Sequence, residues 1–139
     1  MDGSQFAELR AQYLVETAEV EALIASAPSN LRLVNATFPV SSRDSQVEQR
    51  LTASTQYFSV AEVSQPGSDL PNTLPSAAVF SEHMRRLRIG KDCQIIVYDH
   101  SGMQAVARAA WMFQFFGASN VRIMNGGLQK WLAEGRSVY

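Results

Sequence analysis

Ile95-Ile96-Val97-Tyr98-Asp99-His100-Ser101-Gly102-Met103-Gln104 leads straight into an apolar run that lasts to Phe116. The β-branched residues followed by Tyr98 form a short continuous apolar segment, the pattern of a strand buried on both faces. The polar residues after it read as a loop, and Gln104 to Phe116 as a helix closed by Gly117. Strand, loop and helix in that order place Asp99 at the carboxyl end of a parallel strand and in front of a helix N-terminus. Open α/β folds carry their chemistry there.

The same alternation extends in both directions. Upstream, Ser76 is positioned to cap a helix from Ala77 to Leu87, with Val79, Phe80, His83, Met84 and Leu87 on one stripe. Arg85, Arg86 and Arg88 suit its negative end, and Gly90 closes it. Downstream, Val121 to Met124 is a buried strand, Asn125-Gly126-Gly127 a tight turn, and Leu128 to Glu134 a last helix ended by Gly135. Toward the N-terminus, Leu31 to Ala36 reads as a strand. A helix from Ala18 to Ser26 precedes it, capped by Thr17, and Tyr13 to Val15 is a short strand. Met1 to Gln12 is a polar arm or short helix, leaving residues 13–139 as one domain. Between Thr37 and Pro75 the signals are weak. A short helix at Gln46 to Leu51 and a strand at Gln56 to Val60 precede a proline-containing loop from Ser64 to Pro75. Short strands alternating with helices predict a parallel sheet with helices on both faces.

Composition narrows the function classes. The chain has 139 residues, enough for one core, and is 46% hydrophobic and 18% charged, which suits a globular domain. A net charge of -1 without a basic block gives no footprint for nucleic acid or an anionic membrane. No apolar run reaches the roughly 20 residues of a membrane span. A single cysteine, Cys93, excludes an internal disulfide and a cysteine-rich metal site. Met1 to Arg10 lacks the apolar core of a signal peptide. The expected setting is intracellular, mitochondrial or cytoplasmic.

Several longer motifs complete the pattern: Asp69-Leu70-Pro71, Leu74-Pro75, Ala107-Arg108, Trp111-Met112-Phe113, Phe116-Gly117, Met124-Asn125-Gly126-Gly127-Leu128, Trp131-Leu132 and Glu134-Gly135. In this order and spacing, from about Ser59 to Gly135, the chain resembles the rhodanese family. In particular, it resembles the N-terminal, non-catalytic domain of two-domain thiosulfate and 3-mercaptopyruvate sulfurtransferases. The resemblance implies a rhodanese-like three-layer α/β/α fold with a short parallel sheet. In catalytic members a cysteine directly follows the strand that corresponds to Ile95–Tyr98 and carries a persulfide; here that position is Asp99. A carboxylate cannot accept sulfane sulfur. The family's His-Ile-Pro-Gly-Ala segment aligns with Leu51-Thr52-Ala53-Ser54-Thr55, and its aspartate after the second strand aligns with Asn35.

The residues then divide by role. Cys93 reads as a small apolar residue at a strand entrance rather than a reactive thiol. Asp99, His100, Ser101, Gly102, Met103 and Gln104 form a degenerate active-site loop, with Asp99 accepting amide hydrogen bonds at the following helix start. No Gly-x-Ser-x-Gly elbow surrounds Ser101, and His83 has no second histidine at metal spacing. Four large apolar groups in six positions (Trp111, Phe113, Phe115, Phe116) cover more than one helix face. Arg108, Trp111 and Phe115 are therefore candidates to face a partner. The sequence predicts no catalytic residue, metal or cofactor, and a binding or structural module that joins a larger assembly. The alternative is the N-terminal half of a sulfurtransferase that needs a separate catalytic rhodanese domain.

Overall fold

The computed structural model describes residues 2–37, 49–59, 74–100 and 104–139. Five parallel strands form one sheet in the order β1-β5-β4-β2-β3: β1 Leu14–Val15, β2 Leu31–Asn35, β3 Gln56–Tyr57, β4 Gln94–Tyr98 and β5 Val121–Met124. The helices are α1 Gly3–Tyr13, α2 Thr17–Ser26, α3 Ala77–Leu87, α4 Gln104–Phe115 and α5 Gly127–Ala133. The expected three-layer α/β/α architecture is present.

The layering follows from the alternation of side chains along the central strand. On β4, Ile95 and Val97 point to a cluster shared with Phe80, Met84, Val106, Ala109 and Phe113 of α3 and α4. Ile96 and Tyr98 point to the other face, where Val20, Leu128 and Trp131 of α2 and α5 close the second core. Leu33 and Val34 divide in the same way on β2. A central strand with no polar face needs a cover on each side, which is why its sequence lacks polar alternation. Trp131 is wholly buried and donates its indole N–H to the Ser137 carbonyl at 2.9 Å.

Several local expectations are corrected. α2 starts one residue early: Glu16 is its N-cap and Thr17 its first residue. The Thr17 hydroxyl is turned instead to Glu134 Oε1, 2.6 Å away. α3 is capped by Ser76 Oγ as the sequence predicts, but the residue that ends it is Arg88, in the left-handed region at φ 57°, not Gly90. Residues 49–51 are not helical, and residues 46–48 of that expected helix lie outside the described residues. The strand expected at Gln56 to Val60 is two residues long, with Val60 also outside. Of the loop expected from Ser64 to Pro75, only Leu74 and Pro75 are described, and both are irregular. The first segment is a helix, closed by a capping box between Asp2 and Gln5, and it buries none of its residues.

Candidate functional site: the Asp99 loop

β4 lies between β2 and β5, so its carboxyl end opens near the middle of the sheet. Tyr98 is in register with Asn35, and the Ala36 amide donates to the Tyr98 carbonyl at 2.8 Å. This pairing holds the last strand residue still. The next residue, Asp99, is 5% exposed. Burial pushes its carboxyl up to about 6, against the lowering effects of His100 and of the amides of Asp99 itself and Val106 in the first turn of α4. A buried carboxyl raised to about 6 is a hydrogen-bonding group with no sulfur to carry, rather than a nucleophile toward sulfur.

α5 closes the other side of the loop. Its amides at Leu128 and Gln129 donate to the carbonyls of Asp99 and His100, at 2.8 and 2.9 Å. These first-turn donors of α5 are thus used by the chain itself, as the tight turn at Asn125-Gly126-Gly127 leads the helix onto the loop. The approach is tight enough to require glycine. A Cβ on Gly127, at φ 66°, would stand 2.6 Å from the Asp99 carbonyl oxygen and 3.2 Å from Asp99 Oδ1.

A buried turn borders the same end of the sheet. Asn35 Oδ1 accepts from the Thr37 amide at 3.0 Å and from its hydroxyl at 2.6 Å, and the Tyr98 hydroxyl donates to the Gln49 carbonyl at 2.9 Å. Asn35 thus supports the loop by shaping β2's exit, a role that the alignment position alone did not reveal.

The other sequence candidates lie apart. The Cys93 thiol is 8% exposed at the opposite end of β4, where its sulfur accepts from the Gly90 amide at 3.4 Å. Six residues of extended chain separate it from Asp99, about 20 Å. His100 is half-buried beside Asp99, while His83 is half-buried on α3. Ser101, Gly102 and Met103 lie outside the described residues; Gln104 opens α4. Among the described residues no group of three His, Cys, Asp or Glu side chains is placed to hold a metal ion. On the outer face of α4, Trp111 and Phe115 are 43% and 57% exposed with ring centroids 5.1 Å apart, and the Arg108 guanidinium lies 4.9 Å from the Trp111 ring centre.

The profile of the rhodanese-like domain matches residues 59–134, more than half of the chain. The chain belongs to the rhodanese-like domain family. It is 33% identical to the thiosulfate sulfurtransferase of Gallus gallus over 115 residues, 79% of this chain and 40% of that protein. It is 37% identical to the 3-mercaptopyruvate sulfurtransferase of Escherichia coli over 75 residues, 54% of this chain and 27% of that protein. In three dimensions it resembles the E. coli 3-mercaptopyruvate sulfotransferase SseA, with a TM-score of 0.82 and 24% identity over 92% of this chain and 50% of that one. A sulfur transferase subunit of yeast mitochondrial complex I superimposes with a TM-score of 0.68 and 26% identity, covering 81% of this chain and 38% of that one. The rhodanese-like domain thus spans half or less of these relatives.

Proposed function

We propose that this rhodanese-like domain is a binding and positioning module that does not itself transfer sulfur. The single observation that supports the reading most directly is the pairing at β4: a buried carboxyl at one end, and the only thiol buried at the other. Sulfur transfer needs a polarisable thiolate that can attack a donor and carry the sulfur as a persulfide. Asp99 has no sulfur, and Cys93 is too far along the strand to reach the same loop.

The partner that best suits the domain is a catalytic rhodanese domain, on the same or on a separate chain. The support is twofold. The relatives it matches are about twice its length or more, so each carries further chain beside the matched part. In addition, α4 offers a face on which Trp111 and Phe115 are exposed beside the half-buried Arg108, an aromatic and arginine composition enriched at protein interfaces. Placement in mitochondria or cytosol rests on relatives alone, one of them the mitochondrial sulfurtransferase 1 of Arabidopsis thaliana.

The test is direct. The purified chain, incubated with thiosulfate or 3-mercaptopyruvate and then cyanide, produces no thiocyanate above the uncatalysed rate. Mass spectrometry finds no stoichiometric persulfide. Turnover that disappears in Cys93→Ser overturns the proposal.

A further inference from the structure

We propose that a second site, unrelated to the Asp99 loop, binds a small phosphate-class oxyanion, free or as the end group of a small organic molecule. The site is a cleft of about 380 Å³ between the start of β2, the end of α3 and the residues that lead into β3. That volume falls in the range of small-molecule sites.

Two arginines line it, Arg32 at the start of β2 and Arg88 at the end of α3. No carboxylate stands among the described lining residues, although the whole chain carries a net charge of -1. Neither arginine forms an ion pair with a described carboxylate, whereas Arg85 and Arg86, on the same helix end, both pair with Glu82. Uncompensated guanidiniums in a concave, polar setting attract an oxyanion, and their planar forks match its oxygens. Ser29, Ser54 and Gln56 add neutral hydrogen-bonding groups, while Leu31 and Leu87 provide an apolar wall for an organic body.

Arg32 is held in place by the backbone. Its Nε donates to the Arg88 carbonyl at 2.8 Å, and its Nη1 donates to the carbonyls of Ser29 and Leu31 at 2.9 and 3.0 Å. Nη2 carries no described hydrogen bond and remains available to a ligand. Arg88 occupies the left-handed position that helix ends normally give to glycine, at φ 57°. Ala27 ends α2 in the same left-handed region, so the backbone alone singles out neither residue; what distinguishes Arg88 is its guanidinium at the cleft.

The left-handed backbone of Arg88 supplies a clean test. Arg88→Gly removes the cation and relieves the backbone, so its melting temperature is unchanged or raised. Binding is followed by amide and guanidinium NMR shifts during titration with inorganic phosphate and, separately, glycerol 3-phosphate, at ionic strength matched with chloride. The expected result is saturable shifts at Arg32, Ser54, Gln56 and Arg88, with affinity lowered about tenfold or more in Arg88→Gly and unchanged in Arg85→Ala. Tighter binding of glycerol 3-phosphate than of phosphate assigns the Leu31 and Leu87 wall to an organic body. Equal binding assigns the site to the free ion. No saturable shift with either probe, the same shifts with chloride alone, or an Arg88→Gly variant that binds as well as the parent overturns the proposal.

Discussion

Asp99 makes stability depend on pH in an unusual direction. Its carboxyl is raised by burial to about 6 from 3.8, so the folded state holds a proton that the unfolded chain has released. Its contribution is fully present below about pH 4 and is lost as pH rises through about 6; the window is worth at most about 3 kcal/mol by the conversion of 1.36 kcal/mol per unit. Asp99→Asn keeps the size and an amide-accepting oxygen but cannot ionise. It is expected to melt higher than the parent at pH 8 and to show little change between pH 4 and 7, while the parent loses stability across that window in thermal denaturation followed by circular dichroism. The opposite slope for the parent would mean that the carboxylate is stabilised in the fold. At Tyr98, burial likewise pushes the phenol upward, and its hydroxyl serves the Gln49 carbonyl. Tyr98→Phe leaves that carbonyl without this donor, and chemical denaturation should show a loss of about 1–2 kcal/mol.

At the scale of elements, the turn into α5 separates two glycines that look equivalent in sequence. Both have positive φ, but a Cβ on Gly126 meets the flexible Lys130 side chain, while one on Gly127 meets the Asp99 backbone. Gly126→Ala is expected to cost about 1 kcal/mol from the left-handed backbone, plus the shift forced on Lys130, whose Cβ would lie 2.7 Å from the new carbon. Gly127→Ala should cost more, of the order of 3 kcal/mol, because the Asp99 backbone must move. Urea titration of the pair decides it; equal costs would mean that the loop yields freely. These elements also mark what was legible in advance. β4, α3 and β5 were readable because their apolar periods were strong, and at the start of α3 the Ser76 cap agreed with the period. Arg88 was misleading because tertiary contacts held it in a conformation that sequence rules assign to glycine, and Gly90 looked the better stop. Thr17 was misread as a cap because its hydroxyl is used by Glu134, 117 residues on, a distance no local rule covers. Asp99 was found because it directly follows a strongly patterned strand. The arginine cleft was not, because Arg32 and Arg88 are 56 residues apart and share no motif.

For the whole molecule, the proposed partner surface is testable without catalysis by this chain. Trp111→Glu and Phe115→Glu act on largely exposed positions and lose only surface ring and cation–π contacts, so each should lower folding stability by no more than about 1–2 kcal/mol. Both should weaken association with a catalytic rhodanese domain by about tenfold or more in sedimentation or calorimetry, if the α4 face is the contact. Retained affinity in both variants moves the contact elsewhere, and a rise in thiocyanate formation when the two domains are mixed would favour the enzyme-half reading over a purely structural one. The paired positions of the sheet have a consequence for how the polypeptide comes into being. Leu14 rests beside Ile123 and Val15 beside Met124, so the earliest strand has no neighbour until nearly the last one is synthesised. During translation, that first edge emerges from the ribosome and waits for most of the chain, its hydrogen-bonding groups open to any passing strand. A stop codon anywhere before Val121 would make the wait permanent.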